Sequence, residues 1–400
     1  MTSITRESVV QSIEAILVEA KNLSDDIFED QIRLQSFQRQ VFRLKNDTTA
    51  PLERIFGEIC FQPHQSTAVR IALEGGWFQV LADGKPKTAH DISFATGAEV
   101  QLIVRIMMVL TATDVVIEQG YQTYRATPLT QILLDPGWAN GLRHFFDHCG
   151  PSLINLPGYL KQNGYKVPQN VMTGPFADAW GGRNTWALYD AEPWRGKIFN
   201  SFMTKWKEGT KVWTDTYPAN VRLCSSCEKS DDAVLLVDIG GGSGHVVLDF
   251  AKEPSNRVGR LILQDLPAAL GDTDTLKNHG IEAMPYDFFT PQPVKGAKAY
   301  YFRGILHDWP DRACREILSN TATAMRKGYS KLLLDEMVLP DTNVPPKGAL
   351  LDLSMMALET GAERTSEQWH QLLGSVGLRI EKIWSTDYGL EAVIEAVLDA

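Results

Sequence analysis

A glycine-rich turn near the middle of the chain has the residue types that let a ligand approach the backbone closely. An apolar run, 235–239, has the composition of a buried strand, and a helical pattern begins at His245. The run contains one acid, Asp238, and three alternating glycines, Gly240, Gly242 and Gly244, lie between it and the helix. A strand, a tight turn and a helix start present backbone N–H groups to a nucleotide-like ligand. The turn alone is compatible with a dinucleotide, with S-adenosylmethionine or with no ligand.

Two further acids indicate which kind of ligand the turn binds. Asp265 ends the next apolar run, about 25 residues after Gly240, where a carboxylate can accept hydrogen bonds from both hydroxyls of a ribose. Asp287 lies in a loop after another strand, from which it could reach an adenine amino group. No lysine of a phosphate-binding loop follows the glycines, and they lack the GxGxxG spacing of dinucleotide-binding turns. A ligand with a nucleoside but no pyrophosphate fits this pattern best.

His307 is the residue best placed for proton transfer. It follows a predicted strand on the ligand side of the sheet, and its ordinary pKa near 6.5 lets it accept a proton at neutral pH. The alternative is that His307 only caps the next helix, but the segment 308–311 already contains capping residues. A carboxylate hydrogen-bonded to the far ring nitrogen would fix the tautomer. Glu336, at the end of the next strand, is the first candidate for that carboxylate, and Glu363 is the second.

The elements that must position these residues begin at about residue 233, where apolar runs and helical patterns alternate. Strands are predicted at 235–239, 260–263, 299–302, 331–334, 380–386 and 391–398. This alternation predicts an α/β fold whose sheet has a parallel core. Such sheets bind ligands at the carboxyl ends of their strands, which is where the acids and His307 lie.

The chain before residue 135 is predicted to be helical and to end in a winged-helix-like module. Helical periodicity over about 5–44 predicts a first helix that includes 9–20 and a second at about 26–44, and further helices are predicted at 66–74, 89–96 and 99–110. An alternating stretch at 115–126 predicts a hairpin that turns at Gly120. The helix that would enter a DNA groove, 100–110, is almost wholly apolar with one arginine, so we expect the module to serve in packing. The apolar stripes of the first helices need a cover, which is either a partner subunit or the same chain.

The middle of the chain, 136–216, combines many aromatic residues with breaks at Gly and Pro. Aromatic residues at helical spacing are typical of a core, but so dense a run also suits an apolar substrate pocket, and both interpretations stay open. The candidate pocket residues are Phe199, Met203, Met355 and Met356. His144 and His148 are four residues apart, but a metal site needs further ligands, so no metal is predicted.

Composition and charge bound the class of protein. The 400 residues are 44% hydrophobic and 22% charged, which is ordinary for a globular protein and predicts two or three domains. The formal net charge of -10 argues against general nucleic-acid binding. The start of the chain has no signal-peptide pattern and no apolar run reaches membrane-spanning length, so we expect a cytoplasmic protein without membrane contact. Cys224 and Cys227 lack further metal ligands and are predicted to be surface-loop thiols.

The motifs, taken together, resemble those of a known enzyme family. In chain order they are Val237–His245, Gln264–Pro267, Tyr286–Phe289, Leu306–Trp309, Asp335–Glu336 and Gly361–Thr365. This series, over about residues 60–400, is similar to that of the small-molecule O-methyltransferases of the plant caffeic-acid type and their fungal polyketide relatives. The resemblance implies a Rossmann-like methyltransferase sheet with helices on both faces, S-adenosylmethionine as the cofactor, and a homodimer that shares its N-terminal helices. The implied domains are 1–134 for dimerisation, 135–216 for the substrate pocket and 217–400 for cofactor binding and catalysis.

The resemblance also implies a role for individual residues. Those implied to bind the cofactor are Asp238, Gly240, Gly242, Gly244, Asp265, Leu266, Asp287, Phe288, Arg303 and Trp309. Arg303 stands where the family usually has a lysine, and Trp309 matches an aromatic residue that packs on the adenine. His307 is implied to take the proton from a phenolic or enolic hydroxyl, flanked by Glu336 and Glu363. Asp308 is implied to contact the acceptor.

The predicted reaction is an SN2 transfer of the methyl group of S-adenosylmethionine to a hydroxyl of an aromatic or polyketide-type small molecule. Its requirements are positioning and removal of the hydroxyl proton. Some fungal relatives keep the fold and cofactor but catalyse dehydration or pericyclic ring closure, and the intact His307–Asp308 pair favours methyl transfer without deciding it. The third interpretation, a non-catalytic S-adenosylmethionine sensor that binds DNA, is disfavoured by the acidic net charge and the apolar helix.

Overall fold

The computed structural model describes residues 5–25, 31–208, 212–230, 232–252, 259–271, 273–385 and 390–399. The chain divides into two compact units. The N-unit comprises Met1–Asp147 and Lys197–Glu208, and the C-unit comprises His148–Gly196 and Gly209–Ala400. Each unit buries a hydrophobic core of its own.

The N-unit is mainly helical. Its α-helices are α1 Arg6–Lys21, α2 Gln31–Thr48, α3 Pro51–Glu53, α4 Gln62–Glu74, α5 Trp77–Val80, α6 Ala89–Thr96, α7 Val100–Ala112, α8 Pro128–Ile132 and α9 Pro136–Arg143. Two π-helical segments cover Arg54–Cys60 and His144–Cys149. The short strands β1 Lys87–Thr88, β2 Val116–Gly120 and β3 Thr123–Ala126 pair antiparallel in the order β1-β3-β2. The predicted helices and hairpin of this unit are therefore present, and the first two predicted helices correspond to α1 and α2, while residues 26–30, where the second was predicted to begin, lie outside the described residues.

The helix predicted to serve in packing buries only one of its faces. Ile103, Met107 and Leu110 of α7 are fully buried in the N-unit core, as their i, i+4, i+7 spacing requires. Leu102 and Met108, on another face, are 44% and 57% exposed. The apolar character of α7 therefore reflects the core on one side and an exposed surface on the other.

The C-unit carries the large sheet. Its helices are α10 Gly150–Gln162, α11 Pro175–Ala179, α12 Thr185–Ala191, α13 Pro193–Lys207 (which continues into the N-unit), α14 Trp213–Thr216, α15 Ala219–Arg222, α16 His245–Lys252, α17 Thr273–Asn278, α18 Asp311–Ala322, α19 Pro346–Glu359 and α20 Ser366–Gly374. Short 3-10 turns cover Cys224–Ser226 and Leu306–Asp308. Its strands are β4 Val234–Ile239, β5 Arg260–Asp265, β6 Ile281–Pro285, β7 Ala299–Arg303, β8 Lys331–Leu339, β9 Arg364–Thr365, β10 Leu378–Ser385 and β11 Glu391–Leu398.

The strands form a mixed sheet in the order β10-β11-β8-β7-β4-β5-β6, and β9 pairs with the end of β8. The five strands from β8 to β6 run parallel, whereas β11 is antiparallel to both β8 and β10. The α/β prediction with a parallel core is confirmed, and all six predicted strands are present. Sequence reasoning implied a strand before Asp287 without giving its bounds, which is β6, and it missed β9. Because β4, β5, β7 and β8 are parallel, their carboxyl ends bring the candidate residues to one edge of the sheet.

Helices cover both faces of this sheet. Every residue of β4 is buried, which is typical of a central parallel strand packed on both sides. On one face, Val237 lies in a core with residues of α18 and α20. On the other face, Leu236 lies in a core with residues of α14, α16 and α17. The alternating side chains of a single strand therefore anchor two helical layers.

Two predictions about individual segments have separate outcomes. Cys224 and Cys227 are 9% and 8% exposed and belong to a core under the sheet, so the prediction of surface-loop thiols is wrong. The apolar neighbours of the two thiols, rather than their spacing, explain their burial. Among the described residues, no single helix is long and apolar enough to cross a membrane, although α6 and α7 pass that test together with a bend of 119° between them.

Candidate active site

The glycine turn, Gly240–Gly244, has a backbone that only glycine adopts without strain. Gly240, Gly242 and Gly244 have φ angles of 73°, 59° and 83°, in the left-handed region. A Cβ atom at Gly240 would lie 2.7 Å from Cδ1 of Ile305, so the turn closely approaches the chain that leads to His307. A Cβ atom at Gly242 would meet no described atom within 4 Å, so the middle of the turn faces open space. The turn thus combines close packing at its start with an accessible backbone at its centre.

Asp265, the last residue of β5, binds the glycine turn through its carboxylate. One carboxylate oxygen accepts the N–H of Gly242 at 2.8 Å, and the other accepts the N–H of Leu266 at 2.7 Å. Each oxygen retains a second lone pair, so the carboxylate can still accept hydroxyl donors from a ligand. The side chain of Leu266 is 53% exposed and offers an apolar contact next to this acid.

Asp238 is a buried acid behind the glycine turn. It is 1% exposed, and among the described residues its Oδ2 has no hydrogen-bond partner. Burial raises the pKa of Asp238 to about 7, against the opposing field of Arg303. A buried carboxylate oxygen without a partner favours a ligand that brings an N–H donor or a positive charge.

Arg303 forms an ion pair within the sheet. Its Nε lies 3.2 Å from Oδ2 of Asp335, the residue opposite it on β8. The hydroxyl of Tyr301 donates to the same oxygen at 2.7 Å. The guanidinium therefore serves an ion pair of β7 and β8, and its predicted contact with a cofactor stays a prediction.

Three aromatic rings form a cluster beside the sheet edge. The ring centroids of Phe289 and Trp309 lie 4.9 Å apart at 78°, and those of Phe288 and Trp309 lie 6.0 Å apart at 84°. The structure thus brings the predicted pair Phe288 and Trp309 together and adds Phe289, which sequence reasoning missed although it ends the same motif. Asp287 is exposed and accepts the N–H of Phe289 at 3.0 Å, so its carboxylate also shapes this loop. A flat ring could pack against such a cluster.

The histidine turn, Leu306–Trp309, follows β7 and presents the candidate base. Nδ1 of His307 lies 3.0 Å from Oε1 of Glu363, which is 6% exposed. Nε2 lies 3.4 Å from Oδ1 of Asp308, and the imidazole is 27% exposed. A carboxylate that binds Nδ1 on a partly exposed imidazole is the arrangement that a histidine base requires.

Glu336, the first candidate for the carboxylate that binds the His307 ring, binds backbone N–H groups instead. Its Oε1 accepts the backbone N–H groups of Ile305 and Leu306 at 3.0 and 2.8 Å. The second candidate, Glu363, is the one that binds the ring. The distinction was not accessible from sequence order, since both acids follow His307 on elements that reach the same edge.

Carboxyl groups dominate the electrostatics around His307. Burial of the ring opposes protonation, but the negative charges of Asp308, Glu363 and Glu336 together raise the pKa of His307 to about 10. Burial raises the pKa of Glu336 to about 7, and burial also raises the pKa of Asp308. Glu359 at the end of α19, which sequence reasoning missed, has its pKa raised to about 7 by burial and by Asp308. The raised pKa favours the protonated form of His307 at neutral pH in the isolated protein, where carboxyl groups surround the ring.

The predicted substrate residues fall into two groups. Met355 and Met356 are half-buried on α19, and the carbonyl of Met355 accepts the N–H of Gly361 at 3.3 Å. Phe199 and Met203 belong to the N-unit part of α13, and their role in an acceptor pocket stays a prediction. Among the described residues, no group of three or more His, Cys, Asp and Glu side chains could hold a metal ion.

The chain is similar to known O-methyltransferases and to solved structures of related proteins. An O-methyltransferase domain model matches residues 190–379. The O-methyltransferase asqD of Emericella nidulans is 38% identical over 338 residues, which are 84% of this chain and 87% of that protein. A solved structure described as a pericyclic reaction enzyme is 29% identical, covers 99% of this chain and 100% of its own, and has a TM-score of 0.80. The structure of OxaC in complex with SAH and oxaline is 27% identical, covers 98% and 100%, and has a TM-score of 0.81.

Proposed function

The chain belongs to the family of S-adenosylmethionine-dependent O-methyltransferases, and we propose that it methylates a hydroxyl of an aromatic or polyketide-type secondary metabolite with His307 as the general base. The observation that carries the proposal is the hydrogen bond between His307 Nδ1 and Glu363, which leaves Nε2, 3.4 Å from Oδ1 of Asp308, as the ring nitrogen that can take a proton. Its position supports the same role, because Ile305 next to this turn contacts the start of the glycine turn. Candidate base and candidate cofactor turn are thus adjacent in the C-unit.

The residues at the sheet edge fit S-adenosylmethionine. The unpartnered oxygen of Asp238 favours a positive group, and the open space at Gly242 leaves backbone accessible for the methionine part. Asp265 has lone pairs for the ribose hydroxyls, with Leu266 as an apolar neighbour. The aromatic cluster around Trp309 provides a surface for the adenine. When bound, S-adenosylmethionine supplies a methyl group that its sulfonium already activates.

The chain's own task is then to prepare the acceptor oxygen. Glu363 accepts the hydrogen of Nδ1, so Nε2 is the nitrogen that takes the proton from the acceptor hydroxyl. The proton on Nε2 must leave first, because the pKa of His307 is about 10 in the isolated protein. A neighbouring positive charge lowers the pKa of an imidazole, so a cationic cofactor favours the neutral ring. Glu336 holds the backbone before His307 and keeps the ring in place.

The test is the substitution His307→Ala. Loss of general-base catalysis is expected to lower the methylation rate by about 10²- to 10⁴-fold. Binding of S-adenosylmethionine, measured by calorimetry, is expected to persist because the glycine turn is unchanged. The acceptor can be identified by mass spectrometry of extracts with the gene deleted, in which a compound that lacks one methyl group accumulates. Full activity of His307→Ala would exclude His307 as the base.

A second candidate reaction is dehydration or pericyclic ring closure of a bound small molecule. The similarity to a solved pericyclic reaction enzyme, at a TM-score of 0.80 over nearly the whole chain, favours this alternative. His307 could equally assist the loss of water from an alcohol. Formation of one S-adenosylhomocysteine per product identifies methyl transfer, whereas product without S-adenosylhomocysteine identifies the alternative.

A homodimer formed through the N-terminal helices is part of the proposal. Ile13, Leu17 and Val18 of α1 are 42%, 53% and 61% exposed, and such apolar residues on one helix suit a subunit interface. Leu17→Glu is expected to convert a dimer to a monomer in sedimentation experiments, with Glu14→Gln on the same helix as the control. A wild-type chain that is monomeric at micromolar concentration would contradict this part.

A further inference from the structure

Arg364 is a buried cation directly after the acid that binds His307. It is 2% exposed, although taking a guanidinium out of water costs several kcal/mol unless its donors are satisfied. Its Nε donates to Oδ1 of Asp311 at 3.0 Å, and its plane lies 5.2 Å from the ring centroid of Trp369. Nη1 and Nη2 each also donate to the histidine turn.

The guanidinium donates hydrogen bonds to the histidine turn before and after His307. Nη1 donates to the carbonyl of Leu306 at 2.8 Å, and Nη2 donates to the carbonyl of Trp309 at 2.9 Å. Nη2 also lies 3.3 Å from Sγ of Cys314, which itself lies 3.2 and 3.3 Å from the same two carbonyl oxygens and can donate its single hydrogen to either. One planar group therefore fixes the distance between the residue before the base and the aromatic residue two positions after it.

The backbone of the residues before Arg364 adds a further hydrogen bond to the histidine turn. The N–H of Ala362 donates to the carbonyl of His307 itself at 2.9 Å. A Cβ atom at Gly361 would lie 1.9 Å from that carbonyl oxygen, so only glycine allows the two backbones to approach this closely. The segment 361–364 thus binds three carbonyls of the histidine turn and, through Glu363, the imidazole.

We propose that Arg364 is a positioning residue for the methyl-transfer reaction, acting by holding the histidine turn so that His307 meets Glu363 and the acceptor together. The proposal rests on His307 as the base. A lysine carries the same charge but is a single point donor, whereas the planar fork of arginine spans two carbonyls. The fork, rather than the charge, is therefore the feature that positions the base.

The experiment compares Arg364→Lys with a matched variant, Arg222→Lys, in the full-length protein. Arg222 also binds a fully buried acid of the C-unit, Glu395, but contacts no residue of the histidine turn. Both variants are expected to lower the melting temperature. Arg364→Lys alone is expected to lower kcat by about 10²-fold, as misplacement of a reacting group does, with an unchanged Kd for S-adenosylmethionine. NMR titration of histidine labelled with ¹³C, assigned through His307→Gln, should show the pKa of His307 lowered toward its ordinary value in Arg364→Lys and unchanged in Arg222→Lys.

Other outcomes would overturn the proposal, or would distinguish its failure from a failure of the assignment of His307 as the base. A stability loss in Arg364→Lys with wild-type kcat and an unchanged His307 titration would show a merely structural arginine. If Arg364→Lys does not fold, Asp311→Asn, which removes one half-exposed anchor of the guanidinium, should change kcat and the titration in the same direction by a smaller factor, and no change would overturn the proposal. If His307→Ala stays active, the assignment of the base fails, whereas the NMR comparison still reports whether Arg364 positions the ring.

Discussion

The glycine turn and the histidine turn lie on neighbouring parallel strands, but their conformations are fixed in different ways. The glycine turn takes its shape mainly from its own residues, since three left-handed glycines close it, and Gln264 and Asp265 of the next strand accept hydrogen bonds from its backbone. The histidine turn takes its shape from a segment around Glu363, 56 residues later in the chain. One turn is therefore encoded locally, and the other depends on a distant segment that packs against it.

This difference indicates that the two turns control different steps. A locally encoded turn presents backbone and carboxylate groups to the cofactor, so changes there should alter the affinity for S-adenosylmethionine. A turn that is held from outside can lose its geometry while the cofactor turn stays intact. Changes in the holding segment should therefore alter kcat and leave cofactor affinity unchanged.

Among changes to the segments that hold the two turns, the largest effect is expected for Gly361→Ala. The new Cβ would collide with the carbonyl oxygen of His307, a backbone atom that cannot rotate away. Displacement of the histidine turn should lower kcat by about 10²-fold, with little change in the Kd for S-adenosylmethionine. Steady-state kinetics and calorimetry measure both. Gly374→Ala, where an added Cβ meets no described atom within 4 Å, is the matched control, and equal kinetics of the two variants would contradict the separation of the turns.

Glu363→Gln should have the next largest effect. Loss of a hydrogen bond to a charged group is worth about 1.5 to 3 kcal/mol, so kcat should fall roughly 10- to 100-fold. The pH dependence gives a sharper test, because Glu363 is one of the charges that raise the pKa of His307. Removing that charge lowers the pKa, so the neutral base forms at lower pH and the ascending limb of kcat/KM should move to lower pH.

The change in the free energy of unfolding of Glu363→Gln with pH also has a predicted direction. Since the pKa of His307 is higher in the folded protein than in the unfolded chain, its protonation stabilises the fold at low pH, and this contribution is lost as pH rises toward about 10. Glu363→Gln should reduce that contribution, as measured by urea unfolding at pH 6 to 9. Glu316→Gln, at an exposed position on α18, serves as the control. An ascending limb that moves to higher pH would contradict the arrangement around His307.

Asp265→Asn should affect the other turn. The amide cannot accept two hydroxyl donors and the N–H of Gly242 as well as a carboxylate does, so the Kd for S-adenosylmethionine should rise about tenfold. At saturating cofactor, kcat should stay near the wild-type value because the histidine turn is unchanged. Calorimetry gives the Kd, and Asp274→Asn, whose side chain is 86% exposed, is the matched control. A loss of kcat without loss of affinity would reverse the assignment of the two turns.

The sequence was sufficient for the fold and for the locally encoded turn. The apolar runs of the sheet and the glycine spacing predicted β4, its neighbours and the turn, because period and turn chemistry are local properties. The bounds of the edge strand β6 were not predicted because only Ile281 of its five residues is buried, so its sequence lacks the pattern of a central strand. The two residues of β9 are too few for any periodicity.

The histidine turn shows where prediction from the sequence stopped. Both Glu336 and Glu363 were candidates, and only the packing of the segment 361–364 against the turn decides which of them binds the ring. The same packing gives Arg364 its partners, although nothing in its local sequence indicates a buried cation. Contacts between distant segments are set by the tertiary fold, so residue types could nominate these side chains but not assign their partners.

Leu266→Ala should have the smallest effect and tests the cofactor side alone. Its side chain is 53% exposed in the isolated protein, so its removal should change the free energy of unfolding by less than about 0.5 kcal/mol. If the cofactor covers this side chain, the variant loses about 1 kcal/mol of apolar contact, which is a roughly fivefold higher Kd for S-adenosylmethionine. Leu350→Ala on α19, which removes a similarly exposed leucine, should leave the Kd unchanged. An unchanged Kd in both variants would show that the cofactor does not reach Leu266 and would restrict its site to the glycine turn, Asp265 and the aromatic cluster.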